Sequence, residues 1–163
     1  CDKFNHIENT FNEKTSDERL IHTSKVVFYS PNSEDEIHLM FSALLGGGYI
    51  SSDTTFAAFK GIFDETVFEH PIVWMKTQTS LMYFVHLAFK QHNPYDVWVK
   101  CVNCFRLQRD KVPNRESMDS NFRFIVKKGL IDTYDIQLKT IADNYLSTQN
   151  KNAINAKVAN NNT

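Results

Sequence analysis

Short apolar runs alternate with helical stripes of apolar residues in the first half of the chain. The run at residues 26–29 predicts a strand, and Ser33 with Glu36 fits the capping box that begins a helix. The apolar stripe after this box predicts a helix that ends at the three glycines of residues 46–48, because glycine accepts left-handed backbone. A further stripe at residues 56–63 predicts a second helix.

The same succession of elements then recurs along the chain. The apolar run at residues 72–75 predicts another strand, and the stripe from Leu81 to Phe89 repeats the first predicted helix at a constant offset. Asn93 and Pro94 are typical of a helix start, because the asparagine caps and the proline needs no donor in the first turn. The apolar positions of the helix that follows are Trp98, Cys101 and Phe105.

These elements predict a mostly helical α+β fold built from two tandem strand-helix-turn-helix units of winged-helix-like plan, residues 25–64 and 71–106. Two C-terminal helices within residues 114–146 complete a single compact domain, residues 1–146. Six asparagines fall in the last stretch, and residues 147–163 are predicted to form a flexible tail. A composition with 42% hydrophobic residues, 5 Gly and 4 Pro excludes a collagenous or wholly disordered chain.

The two halves of the chain carry opposite charge, although the net charge of the whole is −1. Residues 1–70 contain 5 Lys and Arg against 12 Asp and Glu, whereas residues 71–163 contain 13 against 7. This asymmetry predicts either an acidic half that packs on a basic half, or a basic half that meets an anionic partner such as nucleic acid. The sequence contains no apolar stretch of the roughly 20 residues that a membrane span needs.

Three cysteines do not make a disulfide framework, and their odd number favours a reducing compartment. We therefore expect a cytoplasmic protein, with a lipid anchor on Cys1 as the alternative. Cys101 and Cys104 have the C-x-x-C spacing of zinc and redox sites, but they fall in the middle of a predicted helix and no second ligand pair is present. We expect core thiols and no metal site.

The sequence carries no motif that predicts catalysis. The glycines at residues 46–48 follow a helix, whereas a phosphate-binding loop precedes one and continues into Lys and Ser or Thr. The histidines are scattered without a metal-binding or catalytic spacing: they are His6, His22, His38, His70, His86 and His92. We expect a non-enzymatic protein with no catalytic residues and no cofactor.

A basic segment is the sharpest positive feature of the sequence. Within 29 residues, eight cations predict contacts to nucleic-acid phosphates. They are Lys100, Arg106, Arg109, Lys111, Arg115, Arg123, Lys127 and Lys128. A solvated cationic face, or a match to the acidic half, remains open as the alternative interpretation.

Part of the sequence resembles the C-terminal region of RteC-type proteins and related short proteins of Bacteroidetes mobile elements. The residues that carry the likeness are Ile72-Val73-Trp74, Leu81 with Phe84 and Val85, Trp98, Phe105, Lys111 in a polar turn, and Glu116-Ser117-Met118. The likeness covers about half of the chain. It implies a winged-helix DNA-binding part and a role in regulating the excision of a conjugative element.

The residues and the resemblance together predict a DNA-binding or transcriptional accessory protein of a mobile element, with double-stranded DNA as its partner. The alternative is a protein–protein interaction module without a nucleic-acid role. In that case the oppositely charged halves drive self-association or partner docking.

Overall fold

Helices dominate residues 27–90, 92 and 94–161, the parts of the chain that the computed structural model describes. In chain order the elements are α1 (Glu34–Gly46), α2 (Phe56–Gly61), β1 (Ile72–Trp74), α3 (Gln78–Ala88), α4 (Pro94–Cys104), β2 (Phe105–Leu107), a 3₁₀ turn (Gln108–Asp110), α5 (Arg115–Lys127) and α6 (Ile136–Asn161). The predicted mostly helical α+β class is confirmed. Cys1 and the other residues before Val27 lie outside the described residues.

Helix α1 begins where the capping box predicts. The Ser33 side chain accepts from the amide of Glu36 at 3.4 Å, and the Glu36 carboxylate accepts from the amide of Ser33 at 2.8 Å. The apolar stripe of α1 is buried: it consists of Ile37, Met40, Phe41 and Leu44. The amide of Gly47 donates back to Ala43, so the helix ends within the predicted glycines.

The sheet consists of β1 and β2, which pair in parallel with Ile72 opposite Phe105 and Trp74 opposite Leu107. Helices α3 and α4 form the crossover between the strands. Ile50 adds an isolated antiparallel bridge to Trp74. The predicted strand at residues 72–75 is thus confirmed, but this sheet is not an antiparallel hairpin, and the winged-helix plan is not confirmed.

The prediction that Phe105 lies on a helix is wrong. Helix α4 ends at Cys104, and Phe105 begins β2, where its side chain is fully buried. The spacing from Cys101 to Phe105 matches a helical turn, but pairing with β1 satisfies the backbone of this residue instead. For the same reason the C-x-x-C lies at the end of a helix and not in its middle.

The predicted strand at residues 26–29 is also wrong for its described residues, which form no strand. The amide of Phe28 donates to the carbonyl of Ile62 at 2.8 Å. The Phe28 ring stacks on Phe89 with centroids 4.2 Å apart. Phe28 therefore packs in the core without joining the sheet, and the described residues of the run at 26–29 give the first predicted unit no strand to match β1.

Helix α6 closes the core by packing on both α1 and α3. Tyr145 of α6 donates to Ser30 at 2.6 Å, and its carbonyl accepts from the side chain of Asn32 at 3.2 Å. Farther along α6, the side chain of Asn152 donates to the Glu36 carboxylate at 3.1 Å. Helix α6 therefore still contacts α1 beyond Tyr145.

Most of the segment predicted to form a flexible tail, residues 147–163, belongs to α6, which is helical through Asn161. The weak periodicity of the segment reflects its exposure: nearly all side chains of residues 150–160 face solvent. Isolated polar helices are marginal in water, so the flexibility of this segment in solution stays a prediction.

Candidate nucleic-acid interface

Helix α5 presents one face to the protein and the other to solvent. Asn114 caps its first turn, accepting from the amides of Glu116 and Ser117 at 3.1 and 3.2 Å. Met118 and Ile125 are buried, where α5 packs on α3 and α4. The local sequence thus fixes both the start of the helix and the face that it exposes.

Three predicted phosphate-binding residues lie along the exposed part of α5 and its end. Arg123 is paired with Asp119 at 3.0 Å, but its side chain remains 79% exposed. Lys128 lies over the ring of Phe124, 5.7 Å from the centroid. Lys127 is exposed and has no ion pair within the described part of the chain.

The turn before α5 exposes two further cations. Leu107 donates to the carbonyl of Lys111 at 2.8 Å, which closes the turn. Arg109 and Asp110 have φ angles of 62° and 58°, a left-handed conformation that is uncommon for residues with a side chain. Arg109, Asp110 and Lys111 are all exposed. Neither cation has an ion pair among the residues that the structure describes.

Lys100 and Arg106 are placed differently from the other predicted cations. The Lys100 ammonium lies 3.3 Å from Nδ1 of His92. The Arg106 guanidinium donates to the carbonyls of Val102 and Phe105 at 2.6 and 2.8 Å, at the C-terminal end of α4. A cation at this position satisfies carbonyls that the helix leaves unpaired and complements the helix dipole. Both residues therefore have partners within the chain.

Six of the eight predicted cations belong to the turn and α5, which follow each other along the chain. They are Arg109, Lys111, Arg115, Arg123, Lys127 and Lys128. Arg115 is the first residue of α5 and is half-buried. From first to last residue α5 is about 18 Å long, so the cations at its two ends can reach different phosphates.

Apart from Arg115, the cations of this segment form one ion pair in the described part of the chain, that of Arg123 with Asp119. Lys60 pairs with Glu34 inside the first half, and Lys139 pairs with Asp132 and Asp143 inside the second. None of these pairs joins the two halves. The first of the two interpretations of the charge asymmetry therefore receives no support from these contacts.

The thiols of Cys101 and Cys104 lie in the core, as expected from the sequence. Burial is the main cause that raises the pKa of the Cys104 thiol to about 12, and burial also raises the pKa of Cys101. Within the described residues, no group of three or more metal-ligating side chains converges. Protonated, buried thiols pack as small apolar side chains.

Sequence reasoning missed one cation close to α5. Lys90 follows α3 and lies outside the basic segment, yet it lines the same cavity as Arg123 and Asp119. The sequence shows that Lys90 is a cation, but it does not show that Lys90 lies near α5. The packing of α3 on α5 is not visible in the spacing of residues along the chain.

No family model, curated protein or solved structure matches this chain. In the described parts of the chain, no helix combines the length and the apolarity that crossing a bilayer requires. The function proposed below therefore depends on the charge and the geometry of the residues themselves, together with the resemblance noted in the sequence.

Proposed function

We propose that the chain is a non-enzymatic DNA-binding or transcriptional accessory protein of a mobile element. The observation that carries the proposal is the row of exposed cations on the turn and α5, of which Arg109, Lys111 and Lys127 have no ion pair within the described chain. Cations arranged in this way neutralise backbone phosphates and release counterions. The resemblance to RteC-type proteins supplies the mobile-element context.

In this proposal residues 71–106 act as a winged-helix-like unit, and α5, which packs on its helices α3 and α4, faces the duplex. The proposed contacts are to phosphates, which position a protein on the duplex and carry no sequence information. Lys100 and Arg106 contribute less, since each already has a partner within the chain. A protein of this kind acts in the cytoplasm.

The experiment is a fluorescence-anisotropy titration of a labelled duplex of about 30 base pairs at salt concentrations from about 50 to about 200 mM. We expect affinity to fall steeply with salt. Lys127→Ala should weaken binding uniformly across duplex sequences and reduce the salt slope by about one. Lys60→Ala is the matched control, because Lys60 is paired with Glu34 in the acidic half.

Absence of binding, an affinity that does not change with salt, or equal effects of Lys127→Ala and Lys60→Ala would contradict the proposal. Substituting Lys100 should change the affinity less than substituting Lys127. Lys100 already contacts His92, so it should be less available to phosphates than Lys127. The comparison therefore distinguishes binding by particular exposed cations from attraction by the total positive charge.

A second candidate function is an interaction module without a nucleic-acid role. The observation that favours it is that the ion pairs of Lys60, Arg123 and Lys139 each lie within one half of the chain, so exposed charges of the two halves can meet a second copy or another protein. Light scattering at low salt tests its self-association form. This form predicts a mass that rises with protein concentration and returns to that of the monomer when salt screens the charges.

A further inference from the structure

A cavity of about 270 Å³ lies among α3, α4 and α5, beside the proposed interface. Its apolar lining comes from Phe89, Val97, Trp98 and Phe122. Three of these side chains are buried and fixed by the core, so the wall is rigid. Its polar lining consists of His86, Lys90, His92, Asp119 and Arg123.

An aromatic group of three rings forms one side of the cavity. The His86 ring lies 3.4 Å from the ring of Phe122, centroid to centroid, with an angle of 31° between the planes. It is also stacked with Trp98 at 6.3 Å. No hydrogen bond to another described residue occupies the ring nitrogens of His86. A ligand in the cavity would therefore meet flat rings and one neutral donor–acceptor group.

Burial, and then the charge of Lys90, lowers the pKa of His86 to about 4. The imidazole is therefore uncharged near neutral pH, which suits an apolar wall.

The second histidine fixes a further cation near the cavity. Nε2 of His92 lies 3.2 Å from the carbonyl oxygen of Tyr29, which can only accept, so Nε2 carries the proton. Nδ1 is then the acceptor for the Lys100 ammonium at 3.3 Å. This arrangement keeps the ring neutral and holds Lys100 on the side of the cavity that His92 lines.

The mouth of the cavity is positively charged. Lys90 is exposed and has no ion pair within the described chain, and Arg123 is exposed with a single partner, Asp119. A second carboxylate near the cavity is Asp96, whose charge acts on His92. With Lys100, three cations oppose two carboxylates, so an anion is favoured over a cation at this opening.

We propose that this cavity binds a small amphipathic anion: a flat aromatic body of one or two rings that carries a carboxylate or a similar group. The rings of the ligand pack on Trp98 and Phe122, and its anionic group lies between Lys90 and Arg123. The volume is slightly below the range of about 300 to 1,000 Å³ that is usual for ligand pockets, which limits the ligand to this size. Such a site would serve a small-molecule effector, and it shares one residue, Arg123, with the proposed phosphate-binding surface of α5.

The test is a titration of the full-length protein with naphthoate, followed by the indole N–H resonances of the two tryptophans. We expect the Trp98 resonance to shift and saturate, while that of Trp74 stays in place because Trp74 is fully buried and bonded to Ser80. Lys90→Ala and Arg123→Ala should each lower the affinity for naphthoate about fivefold, because each removes an exposed charge contact.

Two matched controls make the result specific. Lys127→Ala removes a cation one turn farther along α5 and should leave naphthoate affinity unchanged, although it weakens DNA binding. Naphthalenemethanol keeps the rings without the charge and should bind at least about fivefold more weakly. The proposal is overturned if the Trp98 resonance does not shift, if the neutral analogue binds equally well, or if Lys127→Ala acts like Arg123→Ala.

Discussion

The hydroxyl of Tyr49 donates to both carboxylate oxygens of Asp135, at 2.9 and 3.0 Å. Asp135 also accepts from the amide of Leu138 at 2.9 Å and so caps the first turn of α6. One carboxylate therefore ties the chain just after α1 to the start of the C-terminal helix. Burial first, and then the hydrogen bond and charge of Asp135, raise the pKa of Tyr49, so the hydroxyl remains a donor at all pH values at which the protein is handled.

Removing this hydroxyl should destabilise the protein. We expect Tyr49→Phe to lower the free energy of unfolding by about 1 to 3 kcal/mol, the usual contribution of a hydrogen bond to a charged group. Urea unfolding measures the change. Tyr29→Phe is the matched control, since the Tyr29 side chain is 67% exposed, and it should have no effect beyond experimental error. Equal stabilities of Tyr49→Phe and Tyr29→Phe would show that the Asp135 contact contributes nothing.

The indole of Trp74 donates to Ser80 at 2.8 Å in the core. Ser80→Ala leaves the buried indole N–H without its acceptor, and we expect it to cost about 1 to 3 kcal/mol of unfolding free energy. In a Trp74→Phe background the same substitution has no N–H to orphan, so its cost should be smaller. A double-mutant cycle by urea unfolding measures this coupling, and identical costs in both backgrounds would disprove it.

Two glycines provide a comparison of backbone conformation alone, because an added Cβ would meet nothing within 4 Å at Gly46 or at Gly129. Gly129 has φ +67°, so Gly129→Ala should destabilise by about 1 to 2 kcal/mol. Gly46 is the last residue of α1, and Gly46→Ala should stabilise by about 0.5 to 1 kcal/mol. Thermal unfolding of both variants checks the opposite signs. If both substitutions changed stability in the same direction, φ would not be the deciding factor.

Protonation of His86 should make stability depend on pH. Its pKa in the folded protein is about 4, below the ordinary value of 6.5. As pH falls, the unfolded chain therefore takes up the proton first, and the free energy of unfolding falls between about pH 6.5 and about pH 4. Urea unfolding at several pH values should show a shallower decline for His86→Gln. The pKa of His92 is also lowered, so His92 contributes to the decline in unfolding free energy both in the wild-type protein and in His86→Gln. Parallel pH profiles would rule out the His86 contribution.

Elements defined by local chemistry were predictable from the sequence. The capping box of Ser33 and Glu36 both predicts and forms the start of α1, since its hydrogen bonds join residues three positions apart. Thr77 caps α3 in the same way, accepting from the amide of Ser80 at 3.2 Å. In each case the residues that decide the structure lie within one turn of each other.

Elements that depend on distant partners were not predictable. Phe105 fits a helical stripe, and only its pairing with Ile72 makes it a strand residue. Phe28 looks like part of a strand, but the bond of its amide to Ile62 and its stacking on Phe89 give it a different role. Spacing along the chain carries no information on which segment becomes the neighbour.

The candidate interface shows the same division. The cations of the turn and α5 could be identified from the sequence, because they lie close together along the chain. It did not show that the Arg106 guanidinium bonds to Val102 at the end of α4, or that Lys90 and Arg123 meet at one cavity. The meeting of Lys90 and Arg123 arises only when the helices pack together, whereas the bond of Arg106 is local and depends on where α4 ends.

The parallel pairing of β1 with β2 has a consequence for the folding pathway. Its two strands are separated by the whole of α3 and α4, so the hydrogen bonds between them form only after a long loop has closed. Helices nucleate from neighbouring residues and assemble sooner, whereas such distant pairing slows the search for the native state. We therefore expect the pairing of β1 with β2 to form late, after the helices on either side of it.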